Sequence, residues 1–309
     1  MKNRFFSIFT TIGCFAFILL FLSNPKYYSS AALEGLNLFC INVLPCLFPF
    51  FVACKLLIGL NCLNAIEKIF SPITRIYTKE PKGAFVFLIS LISGFPVGVA
   101  TACELQQKNI ISKQSCENIC ILCNFAGPIF VIGTVGSFFE NQKIAIILYI
   151  SSLLGALINA LFFCKKSNEN IYINRPYPEV KESKTLFTDC MYSSINNILF
   201  VGASIMIFYV LGKMIFASLP ILSPLSQTLI QGILEVTSST KLASQLPNKF
   251  LGVVISSGSI GFGGLCVFLQ TCAFWQKSGI NCFSMLIKKA TQGVASMFFC
   301  AILCIIFKI

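Results

Sequence analysis

Gly83-Ala-Phe-Val-Phe-Leu-Ile-Ser-Leu-Ile-Ser-Gly-Phe-Pro-Val-Gly-Val-Ala-Thr-Ala-Cys-Glu-Leu-Gln-Gln-Lys-Asn-Ile-Ile111 is the stretch whose reading decides the fold. It is apolar up to Ser93, broken at Gly94, Pro96 and Gly98, and polar from Glu104 to Asn109. At 1.5 Å per residue each arm reaches roughly 15 Å, about half a hydrocarbon core. One unbroken helix would be about 43 Å long with a proline in its middle. The two arms therefore fit a hairpin that enters the bilayer and returns; the alternative is a kinked spanning helix without a site. Freed backbone groups are tolerated at membrane depth only where protein or a wet cavity surrounds them. Such interrupted apolar segments point to a transporter-type binding site.

Composition carries the same message. The 309 residues are 56% hydrophobic and only 11% charged, with a mean hydropathy of +0.83, against roughly 25% charged for a soluble domain. Several segments are long enough to cross a bilayer, so the expected class is an all-α, polytopic helical membrane protein. The net charge of +12 sits mainly in short loops, as on a cytoplasmic face. No basic stripe interleaved with aromatics occurs, so nucleic acid is not an expected partner; the lipid bilayer is.

Zero histidines exclude imidazole-dependent zinc sites and Ser-His or Cys-His nucleophile pairs. Most of the 16 cysteines, among them Cys14, Cys40, Cys46, Cys54, Cys300 and Cys304, lie in apolar runs where thiols behave as small hydrophobes. Cys116, Cys120 and Cys123 have the C-x3-C-x2-C spacing of an iron–sulfur site. They fall at i, i+4 and i+7 of an apolar helix, and packing on one helix face is the better account. No metal and no cofactor are expected, and the scarcity of paired carboxylates argues against an enzyme.

In chain order, Phe5–Leu22 is a first membrane helix with its basic end in the cytoplasm. Ala31–Leu60 is a span interrupted by Pro45 and Pro49. Residues 61–82 suggest a surface helix, with Ile66, Ile69, Phe70, Ile73, Ile76 and Tyr77 at helical spacing. A helix from Ser112 is interrupted by Asn124 and Gly127-Pro128, placing polar atoms in an apolar segment. Asn124 serves either a bound solute or helix–helix hydrogen bonding. Lys143–Phe163, 190–219, 221–246 and Phe283–Phe307 read as further spans. The expected organisation is one integral membrane domain: an N-terminal helix (1–30), a first repeat (31–164), a cytoplasmic linker (165–189) and a second repeat (190–309). Shifting residues 83–111 by 169 aligns Gly83, Ser90, Gly94, Cys103, Gln107, Lys108 and Ile111 with identical residues at 252, 259, 263, 272, 276, 277 and 280. The expectation is two structural repeats, each with one broken or re-entrant segment.

The motifs Leu-Pro-Cys-Leu-Phe-Pro-Phe-Phe (44–51), Ser-Gly-Phe-Pro-Val-Gly (93–98), Asn-Phe-Ala-Gly-Pro-Ile-Phe-Val-Ile-Gly-Thr-Val-Gly (124–136), Gly-Ile-Leu-Glu-Val-Thr (232–237) and Gly-Phe-Gly-Gly-Leu-Cys-Val-Phe-Leu-Gln (261–270) carry a resemblance. In that order they resemble the YlbJ-type sporulation integral membrane proteins, grouped with proteins bearing a nucleoside-recognition, or Gate, domain. The resemblance implies a multi-pass protein of the cell membrane needed for the cortex stage of spore formation. It does not fix a solute, since the domain name is itself an analogy. Phe125 and Phe268 stand where the family more often has polar residues.

Two readings follow. One is a transporter-like protein binding a small polar solute where the broken segments meet. Its contacts would be Gly94, Pro96, Gly98, Asn124, Gly127, Glu235, Thr237, Gly263, Gly264 and Gln270, with Glu235 as the coupling carboxylate. Half-helix N-termini near Val97 and Leu265 would favour an anionic or hydrogen-bond-accepting group. The other is a non-transporting scaffold for spore-envelope assembly, as a homo-oligomer or with other sporulation membrane proteins.

Overall fold

The computed structural model describes residues 2–60, 72, 74, 76–78, 80, 82–165, 185–219 and 221–309, with backbone only at 2–10, 46, 50, 54 and 57–59. Most of the expected surface helix at 61–82 and nearly all of the linker lie outside these residues. The described chain is helical, with one isolated backbone bridge between Gly94 and Ala126.

Helix α1 (Lys2–Ser23) is followed by α2 (Pro25–Leu38), a π-helical turn (Phe39–Val43) and α3 (Leu44–Gly59). Asn24 caps α2 with its side chain and Pro25 supplies a preset φ at the first helical position. The π-helical turn and Pro49 break the helical hydrogen-bond ladder in the next segment, and Pro25–Val43 meets Leu47–Ala53 at 56°. Among the described residues four helices are long and apolar enough to cross a bilayer: Gln142–Phe163, Leu186–Ser218, Lys249–Lys277 and Cys282–Phe307; the bent pair makes a fifth. The chain is a multi-pass, all-α membrane protein.

Helices α4 (Gly83–Ser93) and α5 (Val97–Gln107) pack against each other and form the hairpin. Next come α6 (Lys113–Leu122), an open stretch to Pro128, a second π-helical turn (Ile129–Val135), α7 (Gly136–Phe139) and α8 (Gln142–Phe163). The second half contains α9 (Leu186–Ser218), α10 (Pro224–Leu234), α11 (Val236–Ser244), α12 (Lys249–Phe262), α13 (Gly264–Lys277) and α14 (Cys282–Phe307).

Two sequence expectations are corrected. Residues 221–246 are not one span: the chain turns at Glu235, and α10 packs against α11 as a second hairpin. The turn carries no glycine or proline, so a span was the natural reading. What makes it is the Glu235 carboxylate, which caps α11. The alignment at a shift of 169 is also wrong in register. It pairs the first hairpin with α12–α13, which forms a 29-residue span interrupted at Gly263. Small residues recur on every packed face of a membrane protein, so identities among them do not set register. In the second half the hairpin tip lies at Leu234–Glu235, and the interruption of the following span lies at Gly263.

The scaffold behind these elements is α8, α12 and α14. Ser151 and Ser257 hydroxyls are 2.8 Å apart, and Ser257 Oγ donates to Ser296 O at 3.0 Å. A Cβ on Gly155 would lie 2.2 Å from Ser296 Oγ, so the helices meet at backbone distance, as small residues permit in lipid. Gly155→Leu should therefore lower stability by about 1–3 kcal/mol, read as an earlier midpoint in detergent thermal unfolding. Gly13→Leu, where nothing lies within 4 Å, should leave that midpoint unchanged.

Candidate functional site

Each hairpin tip is seated on the broken span of its own half. Gly94 adopts φ 71° and ψ −161°, a backbone region essentially closed to other residues. A Cβ there would be 2.1 Å from Gly127 N. The following residue, Phe95, donates its N–H to Phe125 O at 2.9 Å, and the Phe95–Pro96 peptide is cis. In the second half Gly264 has φ 72°, and a Cβ on it would lie 2.9 Å from Leu234 O. Both contacts are backbone against backbone, which is why glycines stand there.

Where the four pieces converge they enclose a cavity of about 40 Å³, bordered by Ser93, Pro96, Gly127, Glu235, Thr237 and Gln270, with an apolar wall that includes Phe51, Phe95 and Ile205. That volume holds about two or three waters, so a larger solute requires a hairpin to move. Pro96, which precedes α5, and the first turn of α13 border it, and neither helix is capped by a side chain.

Glu235 is buried and reaches the cavity, but its carboxylate is spoken for. Thr237 N donates to one oxygen at 2.7 Å; Ser238 N and Ser238 Oγ each donate to the other at 2.7 Å. Gln231 Nε2 in turn donates to Ser238 Oγ at 2.6 Å. Gln231 and Ser238 line a second, polar cavity of about 260 Å³ with Tyr209, Lys213, Gln227 and Lys241. The Gln231–Ser238–Glu235 chain is thus the partition between the two cavities.

Of the expected contacts, Pro96, Gly127, Glu235, Thr237 and Gln270 border the central cavity. Gly94, Gly263 and Gly264 form the tips and breaks around it. Gly98 does not line it: a Cβ there would meet Ser90 Oγ at 1.8 Å, so it lets the hairpin arms close. Asn124 does not line it either. Its buried side-chain amide has no partner, and its carbonyl does the bonding.

The donors to that carbonyl include a residue that the sequence reading passed over. Lys289, 3% exposed, donates from Nζ to Asn124 O at 2.8 Å, Gly261 O at 2.7 Å and Gln292 Oε1 at 3.1 Å. Gln292 Nε2 also donates to Asn124 O, at 3.2 Å. The Phe95 ring lies 5.6 Å from the ammonium, within cation–π range. Its signal was available: Met285, Lys289, Gln292, Ser296 and Cys300 repeat at helical spacing along α14, and all five are buried. A polar stripe on an apolar helix marks the packed face.

Against known proteins, no family model and no solved structure matches. The chain is 26% identical, over 323 aligned residues, to the sporulation integral membrane protein YlbJ of Bacillus subtilis (strain 168), covering 91% of this chain and 79% of the relative. The YlbJ-type resemblance is borne out. At 91% of this chain the alignment takes in both hairpins and both interrupted spans.

Two substitutions test this geometry. Lys289→Met strands Asn124 O and Gly261 O in a dry interior and should cost about 1–3 kcal/mol, measured by thermal unfolding. Gly94→Ala should unseat the first tip, so that a cysteine at Ser93 reacts with aqueous maleimide faster than in the Gly94 background.

Proposed function

We propose that this YlbJ-type protein binds and moves a small polar solute across the cell membrane during spore formation, at the cortex stage. The observation that carries the reading is the central cavity, where two hairpin tips meet two interrupted spans. Helix N–H groups that no side chain caps are tolerated in lipid only around something polar, and here Pro96, which precedes the uncapped α5, and the uncapped first turn of α13 border that cavity. They favour a solute with a carboxylate or another hydrogen-bond acceptor. The larger polar cavity supplies an approach, and the Gln231–Ser238–Glu235 chain is the gate between the two. Glu235 acts here by shaping the tip of the second hairpin rather than as a free carboxylate.

Topology supports the same reading. If neither hairpin crosses and the interrupted stretch from α6 to α7 does, three crossings lie between them: α6–α7, α8 and α9. An odd number sets the two halves in opposite senses, an inverted plan common among carriers.

Purified protein in liposomes, offered labelled nucleosides, amino acids and organic acids, provides the test. Glu235→Gln replaces an oxygen that accepts from the α11 backbone and should reduce uptake at least tenfold while membrane insertion is unchanged. Normal spores from cells carrying Glu235→Gln, together with no uptake by the unaltered protein, would leave a non-transporting envelope scaffold instead.

A further inference from the structure

The cysteines offer a site that lies apart from the cavity. Cys103 comes from the returning arm of the first hairpin, α5, and Cys116 and Cys120 from one face of α6. Their sulfurs all lie within 4.8 Å of one another, with Cys103 and Cys116 at 4.0 Å. All three side chains are buried, at 1%, 0% and 0% exposure. Packing alone explains buried thiols, but it does not require convergence of three sulfurs from two helices. Cys123 shows the contrast: it is equally buried on the same segment and does not join the group.

The spacing can be judged against metal–thiolate chemistry. With a metal–sulfur bond of about 2.3 Å, three sulfurs in a plane around one ion stand about 4.0 Å apart. Side-chain adjustments of less than 1 Å therefore bring this triad to that arrangement. We propose that Cys103, Cys116 and Cys120 form a three-coordinate site for a soft monovalent cation, Cu(I). Thiolates select Cu(I) over harder ions, and a three-sulfur set does not complete the four-coordinate shell of structural zinc.

Two surrounding features fit. Ser278 Oγ, 4% exposed, adjoins Cys103, which places a hydroxyl donor beside that sulfur. The complex of three thiolates with one monovalent ion carries a charge of −2. One ammonium stands near this site: Lys113 Nζ, on α6, is 3.2 Å from where a Cβ on Gly279 would stand, one residue beyond Ser278. Binding replaces three S–H bonds by three S–Cu bonds, releases up to three protons to solvent and changes no oxidation state.

The test uses the full chain in detergent, reduced and oxygen-free, titrated with Cu(I) supplied as its acetonitrile complex against the chelator bathocuproine disulfonate. The expected result is one tightly held Cu(I) per chain, with three sulfur scatterers at about 2.3 Å by X-ray absorption. Cys103→Ser should weaken binding at least tenfold, and Cys123→Ser should leave it unchanged. Absence of Cu(I) binding, nitrogen or oxygen scatterers only, or equal affinity in Cys103→Ser would overturn the proposal. If Cys103→Ser fails to fold, the scatterer count in the unaltered protein and the affinity of Cys116→Ala decide. None of these measurements depends on transport, so the site stands or falls separately from the carrier reading.

Discussion

Everything at the centre of this protein follows from a single demand: a helix that stops inside lipid leaves backbone groups that only protein can satisfy. Two spans stop there, at 123–128 and at Gly263. Lys289 answers both at once, giving its protons to Asn124 O on one side and Gly261 O on the other. Both are carbonyls near the C-terminal end of a half-helix, where the macrodipole is negative. A buried ammonium with no carboxylate beside it is costly unless its protons are taken up. Here it is held by three oxygens and faced by the Phe95 ring. The lysine and the two breaks each supply what the others lack.

That arrangement also braces the halves against one another. The first tip is held by the Phe95–Phe125 backbone bond, and the same Phe95 ring leans on Lys289, which belongs to the second half. Movement of the first hairpin therefore disturbs both the backbone bridge and the cation. On the second hairpin the corresponding restraint is the Gln231–Ser238–Glu235 chain. Gly212 lets α9 approach it closely: a Cβ there would sit 1.9 Å from Gln231 Oε1. Each hairpin thus has its own set of restraints.

The sequence made the class plain because hydropathy and charge are properties of composition. The first hairpin was legible for the same kind of reason: Gly94, Pro96 and Gly98 cannot continue a helix, and two half-length arms flank them. The second hairpin was hidden because its turn is made by a side chain capping a backbone rather than by turn residues. The repeat register was misread because glycine, serine and cysteine mark close helix packing wherever it occurs. Lys289 was passed over because Lys288 stands beside it. Adjacent residues on a helix face directions about 100° apart: Lys288 reaches Glu117 at 2.6 Å, whereas Lys289 turns into the core. Asn124 looked like a side-chain ligand, yet the break needs its carbonyl.

The two tips solve one problem in different ways, and the difference bears on what the cavity accepts. At the second tip a carboxylate belonging to the protein caps the helix that follows, and so neutralises the first turn of α11. At the first tip Pro96 precedes α5 without any side-chain cap, and Gly263 leaves α13 in the same state. A cavity bordered by three helix N-termini, of which one carries its own anion, retains a net positive field from the other two. Lys289 adds a full positive charge behind Phe95. Among the described residues none that lines the central cavity is basic, so its positive field comes from backbone dipoles and a screened ammonium. Under the proposed carrier reading such a field would orient an acceptor group without binding it as tightly as an exposed lysine would, which suits release as well as capture.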